Sequence, residues 1–355
     1  MSPLNTSTNA IIEELFSVLD TRQKRVLTKR YGLDNGEEMT LAELGASFNV
    51  TRERIRQIEA SALSEVKKKA KGGSIDQLVK IAIEKLKQSG GVRREDHLLN
   101  EIKHFADGKD LPINFANQVR FLLEISGEVF YYREDEQGNA HWHLSVEHQK
   151  KAFEFLDALV KNLRDRKQEI LHGKRFNEFF DEVVKLHKLE KDVANHYLAI
   201  SKKFGKNIYG DFGLTEWEEV SPKVSRDWIY LILKKAAKPL HFAEIATEIR
   251  RIRPSKKTNT QTIHNELIKD KRFLLVGRGI YGLREMDELP AGTIRDILVH
   301  ILKETGPMKP RDLISKVLKH RIFKETTILF NLQNKKFFER LPSGEYAVAT
   351  SKGSK

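Results

Sequence analysis

The strongest constraint on the fold is a short ending that recurs along the chain. It appears at Glu128–Tyr132 with His141-Trp142-His143, at Asn207–Phe212, at Gly277–Leu283 and at Ser343–Val348. Each copy alternates apolar and polar residues around glycine or an aromatic ring, the pattern of a short β-hairpin. Phe212, Tyr281 and Tyr346 lie 69 and 65 residues apart. A period of this size points to repeated small units. About three amphipathic helical stretches precede each ending. They are clearest at Asp227–Ala237 (apolar at Ile229, Ile232, Leu233 and Ala236), Phe242–Arg251 (Ile245, Ala246, Ile249) and Thr260–Lys269 (Ile263, Leu267), with a break at Pro239-Leu240. Phe273–Leu283 then closes as a hairpin. Three helices and a hairpin form the winged-helix plan. Ile294–Glu304, Pro310–Leu318, Thr326–Asn334 and Phe337–Val348 repeat it, and residues 73–146 and 147–220 follow it more loosely. Candidate joints at Gly72-Gly73, near Val146, at Ser221-Pro222 and at Leu289-Pro290 divide the chain into residues 1–72, 73–146, 147–220, 221–286 and 287–355. The expected fold is mainly α: an N-terminal helix-turn-helix followed by tandem winged-helix units.

Composition agrees with this plan. A hydrophobic content of 39% is low for one large core and suits small modules with much surface. The absence of Cys excludes thiol catalysis, disulfide scaffolds and Cys-ligated zinc. No apolar run approaches the roughly 20 residues of a membrane span, and Met1–Asn9 lacks the layout of a signal peptide. A cytoplasmic, nucleoid-associated protein without a membrane partner is expected. The 63 Lys and Arg against 50 Asp and Glu give a net charge of +13, which favours a polyanion, nucleic acid first. The charge is unevenly spread: +2 over residues 1–72, −3 over 73–146, zero over 147–220, +9 over 221–286 and +5 over 287–355.

Residues 10–70 are helical throughout and lack the hairpin ending. Thr40 with Glu43 three residues on makes a capping box for a short helix, Leu41–Phe48, which stops at Asn49-Val50. Thr51 then caps a longer helix running toward Lys71. Two helices joined by so short a turn form a helix-turn-helix, whose second helix enters the major groove. Ile55, Ile58, Ala62 and Val66 share one face of that helix, while Arg52, Glu53, Arg56 and Gln57 fall on the other side at its N-terminal end. Arg can pair bidentately with guanine, Gln with adenine, and Glu can accept from cytosine N4. A Glu among arginines that faces a polyanion needs such a donor. The competing reading is a solvated charged face with no partner.

Leu19-Asp-Thr-Arg-Gln-Lys-Arg-Val-Leu27, Arg30-Tyr-Gly-Leu33, Thr40-Leu-Ala-Glu-Leu-Gly45 and Val50-Thr-Arg-Glu-Arg-Ile-Arg-Gln-Ile-Glu59 resemble region 4 of sigma-70 family factors. The last decapeptide matches the family's recognition helix at each position. In that family the module binds the −35 promoter element and the flap of the polymerase β subunit. The resemblance therefore implies base contacts by Arg52, Glu53 and Gln57, and phosphate or bracing contacts by Arg22, Arg30, Thr40, Arg54 and Arg56. Arg54 could equally pair with Glu37, Glu38 or Glu43, and Ser61 stands where housekeeping members often carry a basic residue. No counterpart of the family's region 2 is present, so the duplex-reading module comes without the melting module.

Pro239-Leu-His-Phe-Ala-Glu-Ile-Ala246, Thr262-Ile-His-Asn-Glu-Leu267, Lys271-Arg-Phe273 and Val276-Gly-Arg-Gly-Ile-Tyr-Gly-Leu283 resemble a HARE-HTH domain, the winged-helix module of the RNA polymerase delta subunit. Delta carries a long acidic tail that this chain lacks. Between the second and third helices of this unit, Arg250, Arg251, Arg253, Lys256 and Lys257 form a run that could lie along phosphates or remain a solvated connector.

Other signals are weaker. Gly277-Arg-Gly279-Ile-Tyr-Gly282 matches the dinucleotide fingerprint, but Pro290 follows too soon for the required helix, so it reads as a wing turn. His141 and His143 share a strand face without a third ligand nearby and read as part of a surface hairpin. His241, His264 and His320 have helical contexts, and Trp217 and Trp228 read as packing residues. No catalytic constellation appears, and neither an enzyme nor a cofactor is expected. The leading reading is a bacterial transcription-associated DNA-binding protein whose partner is double-stranded DNA. One rival is a polymerase adaptor in which Leu15, Leu19, Val26 and Leu27 dock the β flap; these residues serve equally well as the module's own core. Another is a DNA-binding subunit of a restriction or modification system.

Overall fold

A computed structural model describes residues 6–105, 111–286 and 293–349; the joint expected at Leu289-Pro290 lies outside the described residues. The chain is mainly helical with small antiparallel sheets. It falls into two compact units, residues 1–205 with 211–215, and residues 206–210 with 216–355.

The first unit begins with α1 (Thr8–Phe16), α2 (Thr21–Arg30), α3 (Leu41–Ser47) and α4 (Arg52–Ala70). Then come α5 (Asp76–Gln88), β1 (Val92–Arg94), α6 (Glu95–Lys103), α7 (Phe115–Ser126), β2 (Phe130–Tyr132) and β3 (His141–His143). The strands form a sheet in the order β1-β3-β2, with Trp142 opposite both Arg93 and Tyr131. The unit continues with α8 (Val146–Arg164), α9 (Lys167–Gly173), α10 (Phe176–Leu186), α11 (Lys191–Ile200) and a two-stranded ladder of β4 (Phe204–Lys206) and β5 (Phe212–Leu214). This last stretch has four helices where the repeat pattern suggests three.

Most buried apolar residues between Ile11 and Trp142 share one core, a feature the repeat pattern does not anticipate. Ile11, Leu15, Phe16, Leu19, Leu27, Ala62 and Val66 pack in one cluster with Leu78, Ile81, Leu98, Val119, Phe121, Leu122 and Trp142. The apolar stripe of α7 lies against α1 and α4, and the Phe121 ring meets Phe16 (5.7 Å) and Tyr31 (4.9 Å) edge-on. Polar tethers fix the register of this contact. Thr8 Oγ1 donates to Gln118 Oε1 at 2.6 Å, Asn117 Nδ2 donates to the Gly36 carbonyl at 3.0 Å, and the Asn114 amide donates to the Leu33 carbonyl. Gly32, at φ +59°, is closely overlaid by Asn117, whose Nδ2 would sit 2.6 Å from any Cβ. Gly72-Gly73 is therefore a bend within this shared core.

The reading of His141-Trp142-His143 as a surface hairpin is corrected. β3 is the central strand, with Trp142 fully buried in the core on one face. On the other face His141 is fully buried and His143 nearly so, in a region packed by α8. His141 stacks on Tyr132 (4.5 Å), bonds the Asn139 carbonyl through Nδ1 (2.7 Å) and meets Gln149 through Nε2 (3.2 Å). Burial pushes its pKa down to about 4, which keeps the ring neutral. No group of three metal-ligating side chains occurs among the described residues.

In the second unit, α12 (Ser225–Ala236), β6 (Leu240–His241), α13 (Phe242–Ile252), α14 (Thr260–Lys269), β7 (Phe273–Gly277) and β8 (Ile280–Leu283) follow closely the elements read from spacing. Their strand order β6-β8-β7 repeats that of β1-β3-β2: an early strand pairs with the last one. The glycine motif is the β7–β8 turn, with Gly279 at φ +68°, and a single 3-10 turn at Arg284–Met286 follows it. α15 (Ile294–Thr305), α16 (Pro310–His320), α17 (Glu325–Leu332), β9 (Phe338–Arg340) and β10 (Tyr346–Val348) form a further core of their own, with Met308 bridging Tyr346 where an early strand would stand.

Candidate nucleic-acid interface

The helix-turn-helix is built from local signals. Asp20 and Gln23 form a capping box at α2, and Thr40 and Glu43 form one at α3. The turn after α3 places Asn49 at φ +53°, with the Val50 amide donating to the Gly45 carbonyl (2.9 Å). Gly45 is required there, because a Cβ would lie 2.8 Å from the Val50 carbonyl oxygen. Thr51 Oγ1 accepts from the Arg54 amide at 3.2 Å and starts α4. Ile55 and Ile58 of α4 pack with Val26 and Leu44 in a small core beneath the turn.

This scaffold leaves Arg52, Glu53, Arg54, Arg56 and Gln57 exposed on the first turns of α4. Four of them bond in pairs. Arg56 grips Glu53 through two donors (2.7 and 2.9 Å), and Arg54 Nη1 donates to Gln57 Oε1 (3.1 Å). Arg56 holds the Glu53 carboxyl below its usual pKa, so it is ionised at neutral pH. Exposed i,i+3 pairs of this kind are weak and open at little cost. The pairing of Arg54 with Glu37, Glu38 or Glu43 is corrected by these bonds. Glu43 caps α3, Glu38 bonds Arg120, Glu37 bonds Asn35, and Arg54 turns instead to Gln57.

The remaining candidates divide by role. Arg30 is a brace: it bonds Glu59 of α4 (3.2 Å) and the Met39 carbonyl (2.9 Å), tying α2 to α4 across the turn. Thr40 is exposed at the start of α3, and Arg22 is exposed on the first turn of α2. Arg52 makes no hydrogen bond among the described residues. Leu15, Leu19, Val26 and Leu27, the suggested flap-docking surface, are all buried. Three of the four share the core with α7, so the chain's own helix covers them.

In the second unit the basic run is split between a helix end and a loop. Arg250 and Arg251 lie in the last turn of α13, where Arg251 pairs with Glu248 (2.6 Å) and Arg250 bonds Thr247 (3.0 Å) and Thr260 (3.2 Å). Arg253 packs its guanidinium over the Trp228 ring at 5.0 Å. Lys256 and Lys257 are exposed in the loop leading to α14. His264 stacks on Phe242 (4.4 Å) and bonds the Tyr281 hydroxyl (3.1 Å), so it belongs to the packing of this unit.

Comparison with known proteins singles out one segment. Residues 15–68 match the family model "Sigma-70, region 4". The RNA polymerase sigma factor SigA of Microcystis aeruginosa is 56% identical over 64 residues, 17% of this chain and 15% of that protein. SigA of Clostridium acetobutylicum is 53% identical over 58 residues, 16% and 15% of the two chains. The principal sigma factor HrdD of Streptomyces viridifaciens is 46% identical over 65 residues, 18% and 20%. The chain thus spans about a sixth of the length of these relatives. No solved structure matches it. The match coincides with the helix-turn-helix and its exposed α4 face, and that module is of the sigma-70 region 4 type.

Proposed function

We propose that the chain is a bacterial transcription-associated DNA-binding protein in which the N-terminal half of α4 reads a −35-like duplex element from the major groove. Arg52, Glu53 and Gln57 meet base edges, and Arg22, Thr40, Arg54 and Arg56 meet the flanking backbone, with Arg30 bracing the helix. The observation that carries this reading is the exposed face of Arg52, Glu53, Arg54, Arg56 and Gln57 on a helix held from behind by Ile55 and Ile58, inside the segment that matches region 4. The relatives are named as RNA polymerase sigma factors, which supports polymerase as a partner. The second unit, with a HARE-like pattern at residues 226–285 and most of the surplus positive charge, adds backbone affinity through Lys256, Lys257 and Arg250 or holds a protein partner.

The test is selection of duplexes from a random library by the whole chain. One sequence class should be enriched, and Arg52→Ala with Gln57→Ala should abolish the enrichment at an unchanged melting temperature. Replacing Lys256 and Lys257 by Glu should weaken binding evenly across sequences. Absence of any enriched sequence with the intact protein refutes the reading.

A further inference from the structure

Beside α4 lies a groove of about 520 Å³ lined by Arg30, Glu38, Thr40, Leu41, Arg52 and Arg133. Five of these belong to the helix-turn-helix. Arg133 does not: it follows β2, 65 residues beyond the end of the region 4 match. We propose that Arg133 is a phosphate-binding residue of the DNA interface, contributed by the unit that packs behind the helix-turn-helix. The proposal rests on the DNA-reading function above and extends the contact surface beyond the matched segment.

Three observations support this. First, the position is rigidly built. Arg120 bonds Glu38 (2.7 Å) and Glu95 (2.8 Å), and its guanidinium lies 5.2 Å from the Tyr131 ring centre, while the Tyr131 hydroxyl donates to Glu95 (3.0 Å). Tyr131 stands opposite the fully buried Trp142 in the sheet. The strand that delivers Arg133 is therefore locked to Glu38, just ahead of α3. Second, the guanidinium is available. Its side chain is 79% exposed and reaches Glu38 only at 3.7 Å, and Arg120 holds that same carboxylate more closely. Third, two of the carboxylates next in sequence have partners of their own. Glu134 bonds Lys202 (2.5 Å), and Asp135 accepts from Tyr132 and from the Gln137 and Gly138 amides. Only Glu136 of that acidic run is left without such a bond among the described residues.

In a helix-turn-helix the first helix of the pair crosses the DNA backbone while the second reads the groove. The groove opens at the start of α3, next to Arg52. A phosphodiester flanking the bases that Arg52 reads would pass along this groove, where Arg133 is the cation contributed from outside the helix-turn-helix.

The experiment is a salt titration of duplex binding by the full chain, using a duplex enriched from the random library. For Arg133→Ala, affinity should fall roughly five- to tenfold near 0.1 M salt, and the slope of log K against log salt should lose about 0.9, the signature of one phosphate contact. Sequence preference should not change. Arg133→Lys should keep most of the slope, and Arg133→Glu should weaken binding further. If Arg133→Ala leaves affinity and slope at wild-type values while Arg52→Ala with Gln57→Ala still abolishes sequence preference, the proposal is overturned and the DNA-reading function survives. If the wild-type chain prefers no duplex, both fall together.

Discussion

Replacing Phe121 by Ala should destabilise the helix-turn-helix from outside it. Phe121 lies on α7, is fully buried, and its ring packs edge-on against Phe16 of α1 and Tyr31 at the end of α2. Truncating a buried Phe costs about 3–5 kcal/mol in lost transfer energy and cavity, which includes the aromatic pairs. At about 1.4 kcal/mol per factor of ten, that is roughly two to nearly four decades in the opening equilibrium. The cost is a large part of the ~5–15 kcal/mol that holds a typical domain. Hydrogen exchange followed by mass spectrometry on the whole chain reads it directly. If α1, α4 and α7 open as one unit, amides at residues 55–66 of α4 should speed up as much as those at residues 119–125 of α7. Ile263→Ala in the second unit serves as the control and should leave both segments unchanged. The reasoning fails if α7 loses protection while α4 keeps its own, for then the helix-turn-helix would be an independent module leaning on its neighbour.

Two further outcomes are expected. Gly45→Ala forces a methyl group against the Val50 carbonyl and should cost about 1–3 kcal/mol in a melting experiment, with loss of sequence-selective DNA binding because α4 must shift. The pH dependence of unfolding should show the buried His141. Its pKa falls from 6.5 in the open chain to about 4 in the fold, so the unfolded state binds the proton first. Its contribution, roughly 3 kcal/mol from a shift of this size, is complete above pH 6.5 and is lost as the pH falls toward 4. Denaturant titrations from pH 4 to 7.5 should give a shallower slope for His141→Gln than for the wild type; equal slopes would refute the assignment.

The parts legible in the sequence are those fixed within one or two turns. The Thr40–Glu43 capping box, the Thr51 cap and the apolar face through Ile55, Ile58, Ala62 and Val66 all appear where spacing put them. So do α12, α13 and α14 and the turn at Gly279, because helical periodicity and a positive φ leave local marks. The charged face of α4 was readable for the same reason. His141 was misread because alternation along β3 shows which residues share a face but not whether a helix from the next segment covers it. The alternative pairing of Arg54 with Glu37, Glu38 or Glu43 does not form because each of those carboxylates has a partner of its own.

By itself, the sequence determined the helix-turn-helix and the charged face of α4: caps, turns and the side chains at the start of α4 depend on neighbours three or four residues away. Tertiary structure alone decided what stands behind and beside that face. The first is α7, whose apolar stripe matches an exposed core helix of any winged unit until it is seen packed on Phe16 and Val66. The second is Arg133, an unremarkable charge in an acidic turn until Arg120, Glu38 and Glu95 fix its strand against the helix-turn-helix. Both depend on contacts between residues roughly 25 to 110 positions apart, and neither a local hydrophobic period nor a capping motif encodes which distant surface a helix or strand will meet.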